Sequence, residues 1–129
     1  PVVEFARSFP EIDVRTHSDS DHPGQLEAEL RLAVADADVV IVHEWNSPEV
    51  VNTLARIHAE DDRFALLFHD THHRPWSDPA YIERFDLQSY DGVIAFGEVL
   101  REIYRERFGA PGKRSLKFWS SGAQRPWPA

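Results

Sequence analysis

Two stretches decide how this chain folds: Val39-Val40-Ile41-Val42-His43-Glu44-Trp45-Asn46-Ser47-Pro48 and Ala65-Leu66-Leu67-Phe68-His69-Asp70-Thr71-His72-His73. In each, a short apolar run stops at a histidine followed by a carboxylate. Runs of this length between polar segments read as buried strands. Ser47-Pro48 then supplies a helix start, a hydroxyl cap with proline in the first turn. Ligands of parallel α/β sheets bind beyond the carboxyl ends of the strands. Two such ends rich in proton-transfer groups are expected to line one cleft.

Outward from these stretches the apolar period keeps switching between strand-like and helix-like. Val2, Val3, Phe5, Ala6 and Phe9 have helical spacing, and Ile12-Asp13-Val14-Arg15 alternates as a short strand does. Pro23 opens a helix whose inner face is Leu26, Leu30, Ala33 and Val34. Val50, Val51, Leu54, Ile57 and His58 continue the helix that starts at Ser47, and Asp61-Asp62 closes it. Asp78-Pro79 opens another helix that buries Ile82 and Phe85. Tyr90-Asp91-Gly92 turns into a strand at residues 93–96. A helical stripe through Val99, Leu100, Ile103, Tyr104 and Phe108 ends at Gly109, and residues 115–119 form a fifth strand. Strands alternating with helices imply a parallel sheet. The expectation is an α/β, doubly wound, Rossmann-like domain of about five strands with helices on both faces. It spans residues 1–119, with residues 120–129 starting a linker. The helical spacing at the start reads as the end of a longer helix, so the chain is expected to be a fragment.

At 129 residues the chain has the length of one domain, and 42% hydrophobic content supports a packed core. A formal charge of −8 argues against a nucleic-acid surface, which needs a basic face. No apolar run is long enough for a membrane helix. The absence of cysteine excludes disulfides and thiolate metal sites and fits a cytoplasmic protein.

Of the groups able to do chemistry, His43, Glu44, Trp45 and Asn46 combine an aromatic face with hydrogen-bonding groups, as a sugar ring and its hydroxyls require. The plainer reading is a histidine satisfying local backbone groups beside a packing tryptophan. His69-Asp70-Thr71-His72-His73-Arg74 is the denser cluster. Neutral imidazole and carboxylate are good metal ligands, but one compact loop does not easily aim His72 and His73 at one ion. No metal is expected. His69 and Asp70 instead suit proton exchange near neutral pH or hydroxyl binding. Gly97-Glu98 lies at a strand-to-helix junction where backbone N–H groups meet an anion or the glycine merely turns the chain. Without a G-x-G-x-x-G or a P-loop, no self-contained nucleotide site is expected.

Over residues 36–124 the pattern resembles the acceptor-side Rossmann domain of GT-B glycosyltransferases, nearest the retaining enzymes that include glycogen synthases and bacterial mannosyltransferases. The likeness rests on the strand ending His43-Glu44-Trp45, the strand ending His69-Asp70-Thr71 and the segment Tyr90-Asp91-Gly92-Val93-Ile94-Ala95-Phe96-Gly97-Glu98. It also rests on Lys117-Phe118-Trp119-Ser120-Ser121-Gly122-Ala123. Gly97 replaces the family's serine cap, Gln124 stands where an acidic residue is usual, and the glycine-rich first loop is missing.

The resemblance implies sugar transfer from a nucleotide-sugar donor to an acceptor hydroxyl, with His69 near the donor sugar and Asp70 as a candidate base. His43 and Glu44 would orient the acceptor. Trp45, Asn46, His72, His73, Gly97 and Glu98 complete the expected binding set. No cofactor beyond the donor substrate is implied. The donor would be held by a second domain of the same polypeptide, outside this sequence, leaving the fragment inactive alone. A rival reading is a non-catalytic Rossmann-like module binding a small polar ligand in the same cleft. A tautomerase-like role for Pro1 as a base conflicts with the helical spacing that follows it.

Overall fold

The computed structural model describes residues 2–15, 22–108 and 117–120. Its elements run α1 (Val2–Ser8), α2 (Pro23–Val34), β1 (Val39–His43), α3 (Pro48–Glu60), β2 (Ala65–Asp70), α4 (Arg74–Ser77), α5 (Pro79–Ile82), a 3-10 turn (Leu87–Ser89), β3 (Gly92–Ala95), α6 (Glu98–Ile103), a π-helical turn (Tyr104–Phe108) and β4 (Lys117–Ser120). The four strands form one parallel sheet in the order β1-β2-β3-β4.

Local chemistry accounts for the helix starts. Ser47 caps α3 by accepting from the Val50 N–H at 3.4 Å, with Pro48 in the first turn. Asp78 does the same for α5, accepting from the Tyr81 N–H at 3.3 Å, with Pro79 following. These caps satisfy N–H groups that the helix itself leaves orphaned.

Burial alternates along the strands and shows which face is covered. Val42, Leu66, Phe68, Val93 and Ala95 are buried, together with Val50, Val51, Leu54 and Ile57 of α3 and Leu26, Leu30 and Val34 of α2. Phe68 is the centre of this layer, with ring centroids of Phe85, Tyr90 and Tyr104 at 5.4, 6.0 and 6.3 Å. On the other face Val39 and Ile41 are 54% and 59% exposed, and Phe96, just past β3, is 64% exposed.

Two expectations are corrected here. Four strands are seen among the described residues rather than five. Ile12 and Val14 alternate in sequence, but they lie exposed and in no strand, because alternation makes a strand only where a sheet edge pairs with it. The strand order is consecutive and does not reverse. Right-handed crossovers between consecutive neighbours put their helices on one face, so the second helical layer of a doubly wound sheet is not seen among the described residues. The crevice that forms where strand order reverses is likewise not seen among them. What stands is an α/β fold built on a parallel sheet.

Element boundaries also move. The strands run on through His43 and through Asp70, so both histidines, expected at the strand ends, lie within the paired strands themselves. The segment after Asp78 is a short helix and a 3-10 turn, which still buries Ile82, Phe85 and Leu87. Ser120 closes β4. The proposed linker beyond it, Pro1, and the helix end at Gly109 lie outside the described residues.

Candidate functional site at the strand ends

Parallel register sets His43 opposite His69. The Glu44 N–H donates to the His69 carbonyl at 3.0 Å, extending the ladder one residue past β1. The two half-buried imidazoles meet edge to face, with centroids 5.0 Å apart and planes at 78°. The two strand ends therefore lie side by side.

Alternation then turns both neighbouring carboxylates inward, and Glu44 and Asp70 are each 0% exposed. Their surroundings differ. Asp70 Oδ2 accepts from the Tyr104 hydroxyl at 2.5 Å, and Oδ1 accepts from the His72 N–H at 2.7 Å. Burial, and then the Asp70 charge, push the Tyr104 hydroxyl well above the ordinary tyrosine range. Asp70 is thus a satisfied anchor between the sheet and the π-helical turn.

Glu44 has less. Its Oε1 accepts a long 3.4 Å hydrogen bond from the Thr71 hydroxyl. Its Oε2 lies 2.7 Å from His43 Nδ1, off the direction of an aligned hydrogen bond. A proton shared between the two atoms would relieve this contact. The Trp45 N–H also approaches Nδ1, at a weaker 3.5 Å. That bond uses Nδ1 as the acceptor, whereas a proton on Nδ1 shared with Glu44 would instead leave Nε2 of His43 as the acceptor.

The other expected residues divide. Asn46 turns back on the His43 carbonyl, through both its side-chain amide at 2.9 Å and its backbone N–H at 3.0 Å, so it closes the turn into α3. Trp45 is 61% exposed, with the His72 ring edge-on at 5.2 Å. His72 and His73 lie 4.3 Å apart, and His73 Nδ1 is 3.0 Å from Ser77 Oγ. Gly97 has φ +87°, a left-handed conformation that glycine adopts without strain, and it gives α6 no side-chain cap. Exposed Glu98 pairs with Arg101 within its own helix. Nothing among these contacts joins Gly97 and Glu98 to the histidine pair. No group of three or more His, Asp or Glu side chains forms a metal-ligand set among the described residues.

Two participants were given no role in the sequence reading, Tyr104 and, although it closes the quoted cluster, Arg74. Tyr104 looked like one more residue of an apolar stripe, although a buried tyrosine needs a hydroxyl partner. Arg74 lies over the rings of both Trp45 and Tyr81, 4.8 Å from each centroid. At the opposite end of the sheet, buried His58 sets Nε2 3.1 Å from Asp91 Oδ2. That oxygen also accepts from the Leu66 N–H at 2.9 Å, fastening β2 to the turn before β3.

The fold and the site define an α/β protein with a parallel sheet and a histidine–carboxylate cluster at its strand ends. Comparison with known proteins finds no matching family model, no matching curated protein and no matching solved structure.

Proposed function

We propose that this chain is the acceptor-side part of a GT-B glycosyltransferase. Its strand ends bind a hydroxylated acceptor, while a second domain of the polypeptide holds the nucleotide-sugar. The observation that carries the reading is the pairing of buried Glu44 with Nδ1 of half-exposed His43, at 2.7 Å and directly beside His69. A buried carboxylate behind an imidazole fixes its tautomer and stabilises the imidazolium that forms when it takes a proton. In an inverting transfer, the acceptor oxygen would attack the anomeric carbon and displace the donor's nucleoside diphosphate, which leaves with the electrons of the broken C–O bond. In that step His43 Nε2 would accept the acceptor hydroxyl's proton. His69 would hold a neighbouring hydroxyl, and exposed Trp45 would offer a ring face to the sugar's C–H surface. Asp70, the base expected from sequence, is already engaged by Tyr104 and His72 and is assigned a structural role.

The test is an NMR titration of the chain with methyl α-glucoside and methyl α-mannoside, following the histidine ring and tryptophan indole signals. Saturable shifts at His43, His69 and Trp45, weakened in His43→Ala, are expected. Their absence with both glycosides up to high millimolar concentration would overturn the acceptor-side reading.

A further inference from the structure

The chain carries 22 acidic against 14 basic residues, so an arginine has no shortage of carboxylates to pair with. Most of the described arginines do pair, as Arg31 does with Glu27 and Glu60, and Arg107 with Glu83. Half-buried Arg74 does not. Among the described residues its guanidinium has no carboxylate at ion-pair distance and donates no side-chain hydrogen bond. It lies instead over Trp45 and Tyr81, both at 4.8 Å. Stacking of this kind holds the planar fork in place and strips part of its water, while leaving its in-plane N–H groups free for an oxyanion. The nearby carboxylates are already committed. Glu44 is buried against His43, Asp70 is buried against Tyr104 and the His72 N–H, and Asp78 caps α5. His72, edge-on to the same tryptophan, has an Nδ1 that is shielded from solvent and lacks a hydrogen-bond partner.

We infer that Arg74 is an anion-recognising residue at the strand-end site, so that the ligand is a hydroxylated molecule carrying a phosphate or carboxylate. The inference rests on the proposal that the strand ends bind a hydroxylated ligand, and it names that ligand's class. Trp45 links the two parts, since it follows the His43–Glu44 pair in sequence and carries Arg74 on its ring. A guanidinium fork binds carboxylate and phosphate alike in bidentate fashion, and such charge-assisted bonds are about twice as strong as neutral ones.

The experiment uses the chain with four probes at matched ionic strength: inorganic phosphate, glucose 6-phosphate, glucuronate and glucose. The Arg74 Nε–H and Trp45 indole signals report binding. The expected result is that glucose 6-phosphate or glucuronate binds at least about tenfold more tightly than glucose (about 1.4 kcal/mol), and which of them wins identifies the anion. Arg74→Gln should remove that advantage, Arg74→Lys should restore part of it, and Arg84→Gln, at the other arginine over the Tyr81 ring, should keep it. Melting curves of each variant separate lost binding from lost folding. Equal affinity for charged and neutral sugars, unchanged in Arg74→Gln, would overturn the anion inference and leave the acceptor-side reading standing. Arg74-dependent phosphate binding, with no gain from an attached sugar, would sustain the anion site and remove the sugar. Failure of all anionic probes to move the Arg74 signal would overturn the inference directly.

Discussion

The chain writes the same phrase twice, an apolar strand ending in histidine and then a carboxylate, and the two copies lie side by side with their histidines in register. They differ in how the buried acid is served. Asp70 has a tyrosine hydroxyl at 2.5 Å and a backbone N–H at 2.7 Å. Glu44 has one long bond from Thr71 and one short contact with the neighbouring imidazole. A buried carboxylate satisfied by the surrounding fold is a fastening. One that leans on a half-exposed histidine has its main neighbour at the surface, where a ligand can reach it. The same local pattern therefore carries two jobs, and the residues supplied by the next layer decide which.

The largest effect expected from breaking this comparison is in Asp70→Ala. It strands a buried hydroxyl and a backbone N–H at once, and the cost should be about 3–4 kcal/mol by urea unfolding. Glu44→Ala, at equal burial, should cost about half that, since it removes one weak bond and one contact. Equal losses would erase the distinction.

The high-pH limb comes next. Both Tyr104 and Tyr90 have hydroxyls raised by burial, with Asp70 adding to the first and Asp86 to the second. The unfolded chain releases these protons near the ordinary tyrosine value of about 10, while the folded chain keeps them. Stability is therefore fully present below that pH and falls above it, by about 1.4 kcal/mol per pH unit for each tyrosine. Tyr104→Phe should remove about half of this slope, and denaturant melts across the alkaline range would show it.

At neutral pH Tyr104→Phe should itself cost about 2 kcal/mol, because Asp70 stays buried with one donor fewer. A neutral outcome would mean that the bond adds nothing to the fastening. The smallest effect lies on the open sheet face. Ile41→Thr, at a residue 59% exposed, should change stability by no more than about 0.5 kcal/mol. A loss like that of a core residue would show this face to be covered.

Much of the fold could be read from local chemistry. Ser47-Pro48 and Asp78-Pro79 mark helix starts because capping is a contest among near neighbours. The runs before His43 and His69 mark strands because their length and branching leave few alternatives. Sheet order is not local. Nothing in 12–15 shows whether a partner edge is in reach, and this is where the extra strand and the second helical layer were over-read. In the site, the approach of the two histidines followed from parallel pairing. The direction of each acid followed from alternation, once the strands were known to run through His43 and Asp70. The Tyr104–Asp70 bond spans 34 positions, and the Arg74 stack depends on where short helices set their side chains. Neither leaves a spacing that sequence could display.

The most direct test of the divided roles is the tautomer of His43, read from its two ring nitrogens by long-range proton–nitrogen NMR at a pH where the imidazole is neutral. If Glu44 holds Nδ1–H, the wild-type chain shows the Nδ1-protonated form, and Glu44→Gln, while still folded, shifts it toward the commoner Nε2-protonated form. A His43 ring already protonated at Nε2, and indifferent to Glu44→Gln, would contradict the account.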